Sequence, residues 1–362
     1  MRLRCLWQYS LFADMLLVRA VNILFVVAFL SGVLSSCAPS NPRNWLNPAP
    51  TKLEWPRPPE QPRIRFLRAI ETGGGFSSLE SASGRFLSWL TGSEGVRFLF
   101  VSPYGVAADG FGKVWVADAG LQTVLSFDFV KHDFSHFNSA DGFLFRSPVG
   151  LAYDESSAKL YVSDSVLKKV FSFDADGRYL SSIDYPFERP AGLTVDQHGN
   201  LYVVDVVKGA VFSFDPSGEL LQVFEGGQLP EFRFNLPSNV AVDAEGQVYV
   251  VDSMNFRVEV FSPDGRSKGL IGQLGDVAGS FARPRGVAVD SEGHIYVADA
   301  AFGNVQIFSS DGTLLLYFGK SGEETGEFSL PAGICIDRDD RIYVVDAFNK
   351  RIQIFQYLPD QQ

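Results

Sequence analysis

From about residue 100 onward, short apolar runs alternate with clusters of turn residues. The stretch 283–318 shows the unit most clearly. Arg283-Pro284-Arg285 opens it, and Gly286-Val287-Ala288-Val289 is a first run, closed by Asp290-Ser291-Glu292-Gly293. Ile295-Tyr296-Val297-Ala298-Asp299 and Val305-Gln306-Ile307-Phe308 follow, then Asp311-Gly312, then Leu314-Leu315-Leu316-Tyr317-Phe318. Runs of four or five residues rich in Val, Ile, Tyr and Phe between Gly, Asp and Ser predict strands. Asp-Gly predicts a hairpin turn between the third and fourth. The same order recurs behind Pro103, Pro148, Pro190, Pro237, Pro284 and Pro331, at intervals of 45, 42, 47, 47 and 47 residues. Four antiparallel strands per unit at this period describe a blade, and six units describe an all-β, six-bladed β-propeller.

The last unit is incomplete. It ends with Ile352-Gln353-Ile354-Phe355, its third strand, and only a short tail remains. An unused β-rich run, Ile64-Arg65-Phe66-Leu67-Arg68-Ala69-Ile70, lies far upstream. It is expected to pair onto the sixth blade as its outermost strand, which joins the chain ends and leaves no open seam. Residues 71–98 then form a long connection, with one short helix expected at Leu79–Leu90. The propeller itself spans 99–358.

The Pro-x-Gly-Val-Ala-Val-Asp opening and the Tyr-Val-Ala-Asp second strand resemble the NHL repeat. The resemblance covers six copies and lacks a Trp-Asp ending. Asn239 stands in place of the usual glycine in copy four, Asp340 in place of the turn glycine in copy six, and Trp115 in place of the tyrosine in copy one. Copy two carries one extra residue within Asp154–Lys159. Two enzyme groups share six-bladed propellers: gluconolactonase-like calcium hydrolases, and peptidyl-hydroxyglycine lyases that hold zinc with channel histidines. The innermost runs of this chain carry no histidine, which counts against the lyase.

The first 36 residues differ. Arg19 precedes Val21–Leu34, which is apolar except for Asn22 and Ser31. A basic flank before a short apolar run is the layout of an export signal, too short for a comfortable membrane span. The run ends Leu34-Ser35-Ser36-Cys37, which resembles a bacterial lipobox and implies lipidation of Cys37. Met15 is an alternative start to Met1. Ala38 after Cys37 favours the outer membrane, facing the periplasm, over the inner membrane or the cell surface. Residues 37–63 contain eight prolines and are expected to be a stiff tether, with a reach of roughly 80 Å at ~3.1 Å per residue. The net charge is −11, and the first 36 residues contribute +2, so the remainder carries −13. Phosphate backbones repel such a body, so nucleic acid is not an expected partner.

Twelve aspartates recur. One set is Asp109, Asp154, Asp196, Asp243, Asp290 and Asp337; the other is Asp118, Asp164, Asp205, Asp252, Asp299 and Asp346. A site needs one carboxylate set, whereas six copies round a ring imply a job done in every blade: capping turns through backbone N–H groups. The recurrent tyrosines Tyr161, Tyr202, Tyr249, Tyr296 and Tyr343 are expected to pack between blades. His132 and His136 lie in a predicted loop, and His198 and His294 in first turns, with no further metal ligands beside them. Cys335 sits in an apolar run and reads as a small core residue. Glu188 and Asn239 are the candidate channel-mouth oxygens for calcium; no metal or cofactor is otherwise expected.

Charge is unevenly placed. First and third turns share one face of a propeller; second turns and inter-blade links share the other. The first and third turns are acid-rich. The second turns and links carry Lys168, Lys169, Lys208, Arg257, Arg283, Arg285, Lys350 and Arg351, partly offset by Glu323, Glu324 and Glu327. These eight cations are the candidate binding face for an acidic partner. The expected function is a lipid-anchored, monomeric, non-enzymatic binding or scaffold protein for a protein or glycan. The alternative is a metal-dependent hydrolase or lyase acting in the channel.

Overall fold

A computed structural model describes residues 52–71, 100–227 and 233–359. The signal-like run, Cys37, the first part of the tether and the helix expected at 79–90 lie outside the described residues. Six antiparallel sheets form the propeller. Blade one is Pro103–Ala108, Lys113–Asp118, Thr123–Asp128 and Asp133–Phe137. Blades two to five follow the same order from Pro148–Asp154, Pro190–Val195, Pro237–Val242 and Pro284–Val289 outward. The innermost strands touch one another in a closed circuit, with that of blade six, Pro331–Ile336, meeting that of blade one.

Close approach at the axis explains the recurrent glycine. A Cβ on Gly105 would lie 2.2 Å from the Val149 carbonyl oxygen, and one on Gly150 2.0 Å from that of Ala191. Only a residue without a side chain lets neighbouring inner strands come so near. Each innermost strand also shifts register next to its opening proline, as between Pro284 and Gly286. Second strands are buried on both faces: Trp115, Tyr249, Tyr296 and Tyr343 are fully enclosed between blades. A phenylalanine three residues before each opening proline packs on another near the end of the third strand. The pairs Phe100–Phe127, Phe145–Phe173, Phe187–Phe214, Phe234–Phe261, Phe281–Phe308 and Phe328–Phe355 have centroids 5.6–6.1 Å apart. Each pair clamps an inter-blade link onto the blade that follows it.

The ring closes as the chain arithmetic requires. Ile64–Glu71 pairs antiparallel with Arg351–Tyr357 and completes blade six. It is not the outermost strand, however. Glu54–Trp55 pairs with Arg65 and Ile64, so blade six has five strands. The end of the Pro-rich stretch is therefore folded rather than tether. Trp55 supplies the reason: its ring lies 5.8 Å from both Phe318 and Phe355, and burying so large an apolar side chain offsets the cost of ordering its neighbours.

Candidate functional site

The two aspartate sets have different jobs, and together they shape both faces. In the first set, one carboxylate oxygen caps the first turn. Asp290 Oδ1 accepts the N–H groups of Glu292 and His294 at 3.0 and 2.8 Å, while Oδ2 accepts the Tyr296 hydroxyl at 2.9 Å. Tyr249 and Tyr343 donate likewise to Asp243 and Asp337. In the second set the carboxylate is wholly buried and ties a second turn to the preceding link. Asp164 accepts the N–H groups of Arg146 and Ser147 from the link and of Val166 and Leu167 from the turn, all at 2.7–3.0 Å. Asp118, Asp205 and Asp299 repeat the arrangement. Links and second turns are thus bolted into one face.

Blades four and six vary the theme. Arg257 Nε donates to Asp252 at 3.1 Å, and Arg351 Nε to Asp346 at 2.7 Å. Asn255 and Asn349 complete the two sets. Arg351 also donates to the carbonyls of Glu324 and Glu327. Both arginines are buried, so they brace the face from within and do not present charge on it. Lys168, Arg283 and Lys350 are exposed; Lys169, Lys208 and Arg285 are half-buried. Lys208 lies 4.6 Å over the Tyr185 ring.

Apolar side chains on the same face were not foreseen. Among the described residues, Leu121 (38%), Val166 (62%), Val207 (53%), Met254 (50%) and Phe348 (66%) stand exposed, one in each of five second turns. The sequence signal is weak: an apolar residue two or three places after the strand-end Asp. The first and third turns expose far fewer, Phe111 and Val130.

Among the described residues, two cavities lie on the axis. The inner one, about 430 Å³, runs along the innermost strands to the first turns, reaching Asp154, Glu155 and Asp337. Tyr153 lines it, its hydroxyl pushed up to about 12 by burial and the nearby carboxylates. Cys335 lines it too while packing against the core cluster around Val106 and Tyr343, and burial pushes its thiol well up. Both stay protonated at neutral pH, and neither is poised as a nucleophile or base. Asp154 is held low, because the Ser157 and Ser156 hydroxyls more than offset the upward push of burial. The outer cavity, about 330 Å³, opens on the link face between Arg189, Leu236, Met254, Arg283 and Arg285. Tyr104 and Arg285 line both, and Arg285 Nη1 donates to the Tyr104 hydroxyl at 3.2 Å, bridging the axis.

Asn239 lines the inner cavity, but Glu188 does not join it. Glu188 is exposed on a link, its backbone N–H bonded to Asp205. The two calcium candidates are therefore not brought together. Among the described residues no group of three His, Cys, Asp or Glu side chains could hold a metal ion. The carboxylates at the inner end are already engaged: Asp154 by two serines, Asp337 by Arg341 and Tyr343. This donor set does not fit a channel metal. None of the four histidines lines either cavity.

Residues 108–233 match the family model described as SMP-30/Gluconolactonase/LRE-like region. Residues 234–261, 281–308 and 328–355 match the NHL repeat. No curated protein matches the sequence. Among solved structures, virginiamycin B lyase from Staphylococcus aureus is 11% identical, with a TM-score of 0.55 over 82% of this chain and 100% of that one. A gluconolactonase from Xanthomonas campestris is 16% identical (TM-score 0.55; 72% and 88% covered). An auxiliary nutrient binding protein from Bacteroides thetaiotaomicron is 14% identical (TM-score 0.57; 72% and 70% covered). At such identities the likeness shows the fold, which two enzymes and a binding protein share. Repeat period, blade architecture and the matched repeats agree: the chain is a six-bladed β-propeller that carries NHL repeats in its last three blades and a gluconolactonase-like region before them.

Proposed function

We propose that this propeller is a non-enzymatic binding protein that docks a protein partner with apolar and acidic groups on its link face. One observation carries the reading: exposed Val166, Val207, Met254 and Phe348 stand among Lys168, Lys208, Arg283 and Lys350 on a face braced by buried aspartates. None of these four cations forms an ion pair among the described residues. Aliphatic side chains reward burial against another apolar surface, which favours a protein over a glycan. The surrounding cations select an acidic rim and speed encounter.

The proposal includes the anchor: Cys37 carries lipid and holds the ring at the periplasmic side of the outer membrane. Cys37→Ser should move the protein from the membrane to the soluble fraction with its melting temperature unchanged; persistence in the membrane would remove the anchor from the reading. For the face, the test is crosslinking within the native envelope. Val166→Asp, Val207→Asp and Phe348→Asp should abolish the crosslinked species, whereas Phe111→Asp on the opposite face should keep it. An unchanged pattern in all variants would sink the docking face.

The match to the gluconolactonase-like model favours a second reading, a metal-dependent hydrolase or lyase, although the inner-cavity carboxylates as held offer no site for its metal. Metal analysis of the purified protein separates the two. Stoichiometric calcium or zinc would support the enzyme.

A further inference from the structure

We infer that the outer axial cavity is a binding site for a carboxylate borne on an apolar group. It shares the link face with the docking surface proposed above, yet it does not depend on that proposal.

The walls give the chemistry. Arg189 and Arg283 come from the links that precede blades three and five, and Arg285 from the innermost strand of blade five. Leu236, Met254 and Val206 supply apolar wall between them. No carboxylate lines the cavity among the described residues, and none of the three arginines forms an ion pair there. Three positive charges on one concave surface with low-dielectric walls favour an anion. The planar guanidinium fork suits a planar carboxylate, which can accept two parallel N–H bonds. A volume of about 330 Å³ matches a small organic molecule and not a bare ion.

The site is built rather than incidental. The Ser238 hydroxyl donates to the Arg285 carbonyl at 2.7 Å, and the Ser253 hydroxyl lies 2.8 Å from both Ser238 Oγ and the Pro284 carbonyl and donates to one of them. These bonds join blade four to blade five at the mouth and fix the backbone that carries Arg285. The Tyr104 hydroxyl holds the guanidinium from the far side of the axis. Arg285 is therefore set in place before any ligand arrives, which lowers the entropic cost of binding. Its bridge to Tyr104 also floors the cavity, so the apolar part of the ligand lies toward the link face, against Leu236 and Met254.

Calorimetric titration of the full-length protein tests this. The probes are 4-phenylbutyrate with its alcohol, 4-phenylbutan-1-ol, and a tetrapeptide with an apolar C-terminal residue as free acid and as amide. At least one carboxylate should bind about tenfold or more tightly than its neutral counterpart, as charge-assisted hydrogen bonds require. Which carboxylate binds better tells whether a free small acid or a chain terminus is the natural source. The preference should vanish in Arg285→Gln and in the pair Arg189→Gln and Arg283→Gln, whose exposed side chains leave folding unaffected. Lys350→Gln, on the same face but outside the cavity, should keep it. Equal affinity for acid and neutral probe, binding by neither acid, or a preference that survives the arginine variants would overturn the inference. The aspartate variants that test docking lie outside the cavity wall, so the two ideas fail separately.

Discussion

Removing one ring of the repeated phenylalanine clamp gives a quantitative test of how the links are held. Phe281 is fully buried, with its centroid 5.6 Å from Phe308 and the ring planes at 62°. It lies over Gly272, where a Cβ would come within 2.3 Å of the ring. Truncating such a side chain to alanine costs about 3–5 kcal/mol in lost transfer energy and cavity. Of this, about 0.5–1.5 kcal/mol belongs to the edge-to-face ring pair. For a propeller of this size one kcal/mol moves the midpoint by about 2 °C, so Phe281→Ala should melt about 6–10 °C lower. Phe308→Ala should do the same. The double variant should lose less than the sum, by about 1 kcal/mol or about 2 °C, because both changes remove one contact. Circular dichroism melting of the four proteins closes the cycle. Hydrogen exchange reports where the damage falls: the Ala282 and Arg283 amides, which donate to Asp299, should exchange faster. A midpoint shift below 2 °C for Phe281→Ala, or full additivity, would refute the clamp.

Other outcomes follow from the same geometry. Arg351→Ala leaves the buried Asp346 carboxylate without its counter-ion, held only by Ser329, Asn349 and Gln353, and should cost about 3 kcal/mol in denaturant titration, against less than about 0.5 kcal/mol for exposed Lys350→Ala. Chains beginning at residue 64 should melt below the intact protein because they lack Trp55. Chains beginning at residue 72 should lose the cooperative transition altogether, and a normal melt from them would show that Ile64–Glu71 does not close the ring. His294 is held above its ordinary value by its hydrogen bond to Asp290, with burial working against the shift. A raised folded value means that its contribution is fully present below about pH 6.5 and lost as pH rises through the folded value. His294→Gln copies Gln247, which donates to Asp243 in blade four, and should flatten that part of the stability profile. An unchanged slope would assign it to another group.

Much of the fold could be read from the sequence because it repeats. Six prolines at a near-constant interval, each opening the same four runs, leave little choice of architecture. Counting strands then assigned Ile64–Ile70 to the last blade. Glu54–Trp55 escaped notice because two residues among prolines carry no periodicity; Trp55, packed beside Phe318 and Phe355, and Glu54, which accepts from Arg65, hold the strand in place. The cations were half legible. Lys168, Arg283 and Lys350 reach the surface, but Arg257 and Arg351 look the same in sequence and are drawn inward by a buried carboxylate five residues earlier. Asn239 and Glu188 were placed together from their positions near the axis. Glu188 stays exposed on its link, outside the cavity that Asn239 lines from an innermost strand. The exposed apolar residues of the second turns were missed because an isolated valine in a turn says nothing until its neighbours round the ring are known.

Those turns have a consequence for how such a ring can change. Val166, Val207 and Ala301 each give their backbone N–H to the buried aspartate two places before, at 3.0, 3.2 and 2.9 Å. The turn is secured through atoms that every residue except proline possesses. The side chain that projects from it takes no part in holding the ring. Blades two, three and five therefore each offer an address whose occupant can be exchanged without loosening the scaffold. A new partner can be acquired by rewriting a handful of scattered single residues, while the period of the repeat stays untouched.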